Sequence, residues 1–528
     1  ANYNRYKVGD INGDSHSEVL SYEDNKIYVW KADANGFQNG GEPLLWVYNY
    51  TTSGNVNQNL LYNPNAKNCQ KSDNTSIIYS CINDTWDDEK RLKNDLIIET
   101  GSTLTIKNKV FIPKDGKIIV EQGAKLIIDG GNLLNDCSFF WQGIEVWGNN
   151  NANQYNETNQ GVVELINGAK IENAICGIQT GMTTTGNLTD LNTTGGIIKA
   201  NGAYFKNCIT SIKFELYHNF YGNTWRNNRS EVKNCTFETN NFWADNSKTP
   251  KDFIYLHGVE GIIFSNNVFK NTIPISTNPT ARGNGIKSID ASFTVKNTTI
   301  TTKTFEGLNY GIFASNTNSL KSITVTGYDF INNYTGIGIK SINNAIITSN
   351  NFKGISYINP DSETRGVGLY LEACNNYKIE GNNFDGINGM IYGTVFYSYG
   401  SLNNTIYRNT FLNLDISIIA GNSTIAPNAR SVNPDPAPIM ILPGLKIKCN
   451  EFITSTLADI AATSGQLGTP QGNCGTMTTT ANNLFSTNGS FSIRLNPGML
   501  PISYFYYPGT NTEPVNNYPS FPQPLVVP

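Results

Sequence analysis

The feature that most constrains this chain is a step in which Asn stands two or three residues ahead of Phe. It recurs at Asn234/Phe237, Asn266/Phe269, Asn350/Phe352, Asn382/Phe384, Asn409/Phe411, Asn450/Phe452 and Asn482/Phe485. Phe330, and Ile300 following Asn297, fill the intervals left open, so that successive steps lie 22 to 41 residues apart. A solenoid of fixed repeat length does not accommodate that scatter. A coil of short stacked strands does, because only the strands must register while the loops between them vary.

The flanking sequence supports such a coil. Leu96-Ile97-Ile98, Leu104-Thr105-Ile106, Val110-Phe111-Ile112, Ile118-Ile119-Val120 and Leu126-Ile127-Ile128 follow one another across short turn-like gaps. Strands this short need neighbours stacked above and below to bury a face. Further on, Gly leads apolar strands at Gly285-Ile286, Gly311-Ile312-Phe313, Gly336-Ile337-Gly338-Ile339 and Gly366-Val367-Gly368-Leu369. The expected coil points Phe, Ile and Val into a narrow core, turns at Gly and places Asn at the bend. Stacked Asn side chains would then satisfy backbone groups along the axis, the alternative being ordinary turn-forming Asn with no ladder. The fold class expected is all-β, a parallel β-helix solenoid.

Composition agrees. Only 15% of residues are charged and 39% hydrophobic, with 48 glycines, 25 Phe and 27 Tyr. That is too aromatic for a disordered chain and rich in residues that occupy sharp corners. The net charge of −4, with no basic run, argues against nucleic acid as a partner. No transmembrane segment is expected, since no stretch approaches the roughly 20 apolar residues a membrane span needs. The start at Ala1-Asn2-Tyr3 shows no signal peptide and reads as a mature or excised product. Of nine cysteines, Cys69 with Cys81 and Cys449 with Cys474 are candidate disulfides in turn-like context, fitting an oxidising compartment. Cys137, Cys176, Cys208, Cys235 and Cys374 sit beside apolar strand residues and read as small core residues.

Four regions follow: a β module over 1–50, an Asn- and Ser-rich connector over 51–85, the solenoid over 86–490, and a C-terminal β cap with a Pro-rich tail over 491–528. In the first, Asp10, Asn12, Asp14, His16 and Glu18 alternate around Gly13. Side-chain oxygens of the first three and of Glu18, with the His16 carbonyl, suit a hard cation, so structural Ca²⁺ is the expected cofactor. The loop from Tyr217 to Arg229 gathers Tyr217, Tyr221, Trp225, Arg226 and Arg229, and Trp243 lies one coil-length on. Aromatic faces stack on sugars while Arg and Asn bind hydroxyls, making this the candidate glycan-binding site, with rings that merely cover the solenoid as the plainer alternative. No catalytic set is evident. Only His16, His218 and His257 are present, and Asp361, Glu363 and Arg365 read as a solvated turn. Asp329 and Asp385, beside the Phe step, read as corner residues.

Two stretches carry a family resemblance. Thr85-Trp86-Asp87-Asp88 through Leu96-Ile97-Ile98, and Gly123-Ala124-Lys125-Leu126-Ile127-Ile128 followed by Trp141-Gln142-Gly143-Ile144-Glu145-Val146-Trp147-Gly148, resemble the first coils of large secreted Bacteroidota proteins with pectate-lyase-like repeats. The resemblance covers roughly 86–490 and implies a right-handed parallel β-helix, commonly cargo of the type IX secretion system. It also implies location outside the cell or on its outer surface. The Asp10–Glu18 motif resembles a single unit of the FG-GAP or VCBS type, with Ser15 where that motif usually has Gly. The polygalacturonase pattern of paired Asp, His-Gly and Arg-x-Lys is missing, as is the Arg-rich pattern of pectate lyases. The expected function is therefore a non-catalytic adhesin or binding protein, with glycans, cell-surface components or secretion machinery as partners. The alternatives are a lyase or glycosidase acting on acidic glycans, and a structural cargo or appendage subunit.

Overall fold

Three short strands per coil, each paired in parallel with its counterpart in the next coil, make this chain a right-handed parallel β-helix. The computed structural model describes short strands between residues 6 and 47 and most of residues 71–514. Residues 48–70, 355–365, 398–403, 422–444 and 515–528, together with several shorter loops, lie outside that description. Two units are distinguished, Ala1–Lys199 and Ala200–Pro528.

In the first unit, Tyr6–Gly9, Glu18–Glu23, Lys26–Trp30 and Leu44–Val47 form a four-stranded antiparallel sheet. The proposed calcium loop falls on residues 10–17, outside the described residues, and only the backbone of Glu18 is described, as the first residue of its strand. Coils follow from Ile77–Tyr79. Leu96 pairs with Ile118 and Ile98 with Val120, all fully buried, while Ile97 alternates outward as strand geometry requires.

The second unit shows what the Asn-x-Phe step does. Phe205, Phe237, Phe269, Phe305, Phe330, Phe352, Phe384, Phe411, Phe452 and Phe485 stack ring on ring, with centroids 4.4–5.8 Å apart. Strands in a ladder lie about 4.8 Å apart, so one ring per coil stacks without adjusting the backbone. The ladder corrects one expectation. Phe305 fills the coil assigned to Ile300, which is fully exposed. Counting residues to the next step missed this because the loop there is longer.

The glycines that lead the neighbouring strands answer the same rings. A Cβ on Gly336 would lie 2.6 Å from Phe352 Cδ1 and 2.5 Å from the Gly368 carbonyl oxygen. Gly311 meets Phe330 in the same way, and Gly368 meets Phe384. The stack thus selects glycine by lack of room rather than by turn geometry.

The Asn of the step divides into two roles. Three residues before Phe stands a left-handed corner residue: Asn234, Asn266, Ser349, Arg408, Cys449 and Asn482 all have φ between 51° and 58°. Two residues before Phe stands a buried amide, and these do form a ladder. Asn350 N donates to Asn382 Oδ1 (3.0 Å), Asn382 N to Asn409 Oδ1 (2.9 Å), Asn409 N to Asn450 Oδ1 (2.9 Å) and Asn450 N to Asn483 Oδ1 (2.9 Å). Each Nδ2 also reaches a strand carbonyl, as Asn382 does to Ile347 O at 2.9 Å. Asn483 Nδ2 donates to the hydroxyl of the buried Tyr504 (3.0 Å).

The cysteines require two corrections. Cys449 is a free thiol, so the expected bridge to Cys474 is not formed. Its backbone sits at the left-handed corner and donates to Ala481 O, placing it in the corner column rather than in a linking loop. Cys137 is disulfide-bonded rather than a reduced core residue. The pairing of Cys69 with Cys81 lies outside the described residues. Cys208, Cys235 and Cys374 are buried and free, and burial pushes the Cys235 thiol up to about 12 and that of Cys374 up to about 11.

Two outcomes follow from this core. Asn382→Ala strands the Asn350 N–H and the Ile347 carbonyl in the interior and is expected to cost about 3 kcal/mol, read by chemical denaturation. Asp459, fully buried in Ser455–Ala462, accepts hydrogen bonds from Ser486 N and Oγ, yet burial pushes its carboxyl up to about 6. A folded-state value above the unfolded one means its contribution to stability is full below pH ~3.8 and is lost as pH rises through about 6. Asp459→Asn should therefore gain thermal stability over the parent progressively from pH 4 to 7, reaching about 2–3 kcal/mol. A constant difference across that range would contradict it.

Candidate functional site

One face of the second unit carries the Gly-led strands. Its members include β1 (Thr210–Phe214), β2 (Asp252–His257), β3 (Asn284–Ile289), β4 (Tyr310–Ser315), β5 (Thr335–Lys340) and β6 (Val367–Glu372). The aromatic loop singled out from sequence leaves this face directly after β1. It folds as an antiparallel hairpin, with Phe220 pairing with Trp225 and Tyr221 with Thr224. Buried Asn219 ties the base: its Nδ2 donates to Asn227 O at 2.8 Å and its carbonyl accepts from Arg226 N at 2.9 Å. Asn228 N donates to Glu260 O (2.8 Å), anchoring the hairpin to the next coil.

Trp225 is held from two sides. His218 meets its ring edge-on at 4.7 Å and Phe220 at 4.2 Å, yet Trp225 stays 47% exposed and Tyr221 55%. Lys321, ion-paired with Glu260, lies 5.8 Å from the Trp225 centroid. Burial and the Lys321 charge hold the His218 imidazole below its usual range, with Glu260 opposing. His218 is thus biased toward the neutral form and acts as a packing element.

The structure does not bring every candidate together. Tyr217 is buried beneath the hairpin with its hydroxyl 3.4 Å from Asn219 Oδ1, so it supports the surface without forming part of it. Arg226 and Arg229 are exposed on the hairpin. Trp243 belongs to a different corner, in the loop between Thr236–Thr239 and β2, where its Nε1 donates to Lys248 O (2.8 Å). Asp361, Glu363 and Arg365 lie outside the described residues. Asp329 accepts from Asn351 Nδ2 (2.6 Å) and pairs with Lys353 (2.8 Å), and Asp385 accepts from Asn413 Nδ2 (3.0 Å); both are strand residues beside the Phe column rather than the corner residues expected.

Beside the hairpin is a polar group that sequence reading missed. The buried Glu215 carboxylate holds Lys213 at 2.6 Å and His257 Nδ1 at 2.9 Å. Tyr255, two residues before His257, pairs with Lys213 in the strand register. Burial raises the Tyr255 hydroxyl, reinforced by Glu215 and Asp252, and burial raises Asp252 against the pull of Asn284 and Lys287. The signal was available: the outward residue stands two places after the position at which the later strands carry Gly. Among the described residues, no group of three or more His, Cys, Asp or Glu is arranged to hold a metal ion. No helix among them is long and apolar enough to cross a membrane.

Residues 223–411 match the family model for the right handed beta helix region. Solved structures similar to this chain include the two that follow. One is the periplasmic alginate epimerase AlgG, at 11% identity over 80% of this chain and 84% of that one, with a TM-score of 0.30. The other is PfbA, a surface adhesin of Streptococcus pneumoniae, at 12% identity over 65% of this chain and 84% of that one, with a TM-score of 0.24. No curated protein matches. The match starts within the hairpin and takes in Tyr255, His257 and most of the Phe ladder, whereas Lys213 and Glu215 precede it.

Proposed function

We propose that this chain is a secreted or surface-exposed, non-catalytic glycan-binding protein of the adhesin type, exported by the type IX route. The observation that carries the reading is the hairpin, which holds Trp225 half-exposed between His218 and Phe220 with Tyr221 beside it. An aromatic face fixed before the ligand arrives loses little entropy on stacking, and Arg226 with Arg229 supplies donors for hydroxyls. Trp225→Ala combined with Tyr221→Ala is expected to weaken binding on a glycan array about tenfold, with an unchanged thermal melt. Glycan binding that survives the double substitution would remove the hairpin from the reading.

A second reading, an enzyme acting on acidic glycans, draws on the buried Glu215 that orients His257 near Tyr255. A carboxylate-held imidazole is a recurring general base. Unsaturated sugar ends or new reducing ends after incubation with polyuronates would favour that reading over adhesion.

The Asp10, Asn12, Asp14, His16 and Glu18 motif is proposed to bind Ca²⁺ as a structural ion, since alternate oxygen donors suit its coordination. Calcium titration by calorimetry should give one site. Asp10→Ala with Asp14→Ala should abolish it and leave glycan binding by the second unit intact.

A further inference from the structure

The outward side chains of the Gly-led face form a row of their own. Register places Lys213, Tyr255, Lys287, Phe313, Gly338 and Tyr370 opposite one another in successive coils. Each is flanked along its strand by inward-facing residues at 0–1% exposure, such as Ile254 and Leu256 around Tyr255, or Ile312 and Ala314 around Phe313. Strand alternation therefore directs all six away from the core. The row reads cation, ring, cation, ring, and then glycine and ring.

The glycine is not a gap. A Cβ on Gly338 would lie 2.8 Å from Tyr310 Cε1 and 3.7 Å from Phe313 Cδ2. Tyr310 thus leans over Gly338, its ring 5.1 Å from that of Phe313 at 62°, and widens the aromatic shelf toward Tyr370. The two cations differ. Lys213 is neutralised by Glu215 at 2.6 Å, whereas Lys287 forms no ion pair with any described residue. The nearby Asp252 is bound by Asn284 at 2.7 Å and feels the Lys287 charge without forming an ion pair with it.

We infer that this row is a second carbohydrate surface, which takes an anionic polysaccharide lying along the solenoid axis with its charge in every second sugar. The coil step of about 4.8 Å is comparable to the length of one sugar in an extended chain. A sugar on Tyr255 and another on Phe313 then leave the one between them over Lys287, where a carboxylate or sulfate meets an ammonium that forms no ion pair with any described residue. A homopolymer charged at every residue would set its other anionic groups over Tyr255 and Phe313, where no cation waits. The inference rests on the glycan-binding reading but uses residues separate from the hairpin.

The test uses the full chain and octasaccharide probes in calorimetry. They are an alternating polymer with one carboxylate per disaccharide (hyaluronan), an alternating polymer with one sulfate per disaccharide (κ-carrageenan), a polymer charged at every residue (oligogalacturonate) and a neutral glucan. One or both alternating probes should bind about tenfold tighter than the neutral one, and whichever is preferred identifies the anion. Lys287→Met should abolish that preference, and Tyr255→Ala with Phe313→Ala should weaken all probes. Equal binding of alternating and neutral probes, tighter binding of oligogalacturonate, or an unaffected Lys287→Met would each overturn the inference. An array on which no glycan binds would sink the glycan-binding reading itself. Loss of binding only in the Trp225 and Tyr221 variant would retain that reading and dismiss the row.

Discussion

The interaction on which the rest of this structure depends is the vertical repeat of one ring and one amide per coil. Hydrogen-bonded strands sit about 4.8 Å apart, a distance that suits stacked phenyl rings and also lets one Asn carboxamide bridge to the next. The Phe column excludes side chains from Gly311, Gly336 and Gly368 on the adjoining strand. The Asn column from Asn350 to Asn483 consumes the backbone groups that a turning chain would otherwise bury unpaired. Either column displaced by one residue would turn apolar side chains to solvent and leave buried amides without partners, so register is enforced twice.

Much of this was legible because a solenoid writes its contacts at intervals along the sequence. Phe352, Phe384 and Phe411 announce the core since each coil repeats the same local problem. What sequence could not separate was the two roles of Asn. Asn266 and Asn267 are neighbours, one turning the chain at φ 58° and the other bonding inside to Val232 O. Ile300 was misplaced because loop length carries no record of where a coil closes. Cys449 was misread for a related reason: a corner that takes Asn, Ser, Arg or Cys looks like a disulfide-bearing turn until its stacking partners are known. The hairpin's aromatics were visible as composition, but the burial of Tyr217 and the separate corner of Trp243 were not, because they depend on which face each loop leaves.

The columns also explain why the outward residues vary while the fold persists. In each Gly-led strand the inward positions are fixed by packing, whereas the residue two places after the glycine position faces solvent. Lys287, Phe313, Gly338 and Tyr370 differ in size, charge and shape at a single structural position. A change there alters surface chemistry with little cost to the core. The hairpin at Phe220–Trp225 follows the same logic as an insertion between strands, since loop length is nearly free to grow where the strand register is already secured.

That separation bears on what such a surface recognises. A globular pocket converges side chains from many directions on one point, whereas a solenoid face offers positions in a line at a constant step. Lines select for ligands that are themselves periodic, and the energy of each contact is modest unless several are made together. The polar group at Glu215 and the shelf at Phe313 and Tyr310 lie along one such line rather than around a cavity. Rigidity then decides specificity. Because the Phe and Asn columns hold the coil step constant, on the proposed reading a polymer whose charges fall out of phase with Lys287 cannot recover the contact by bending the protein, and must strain itself or forgo the interaction.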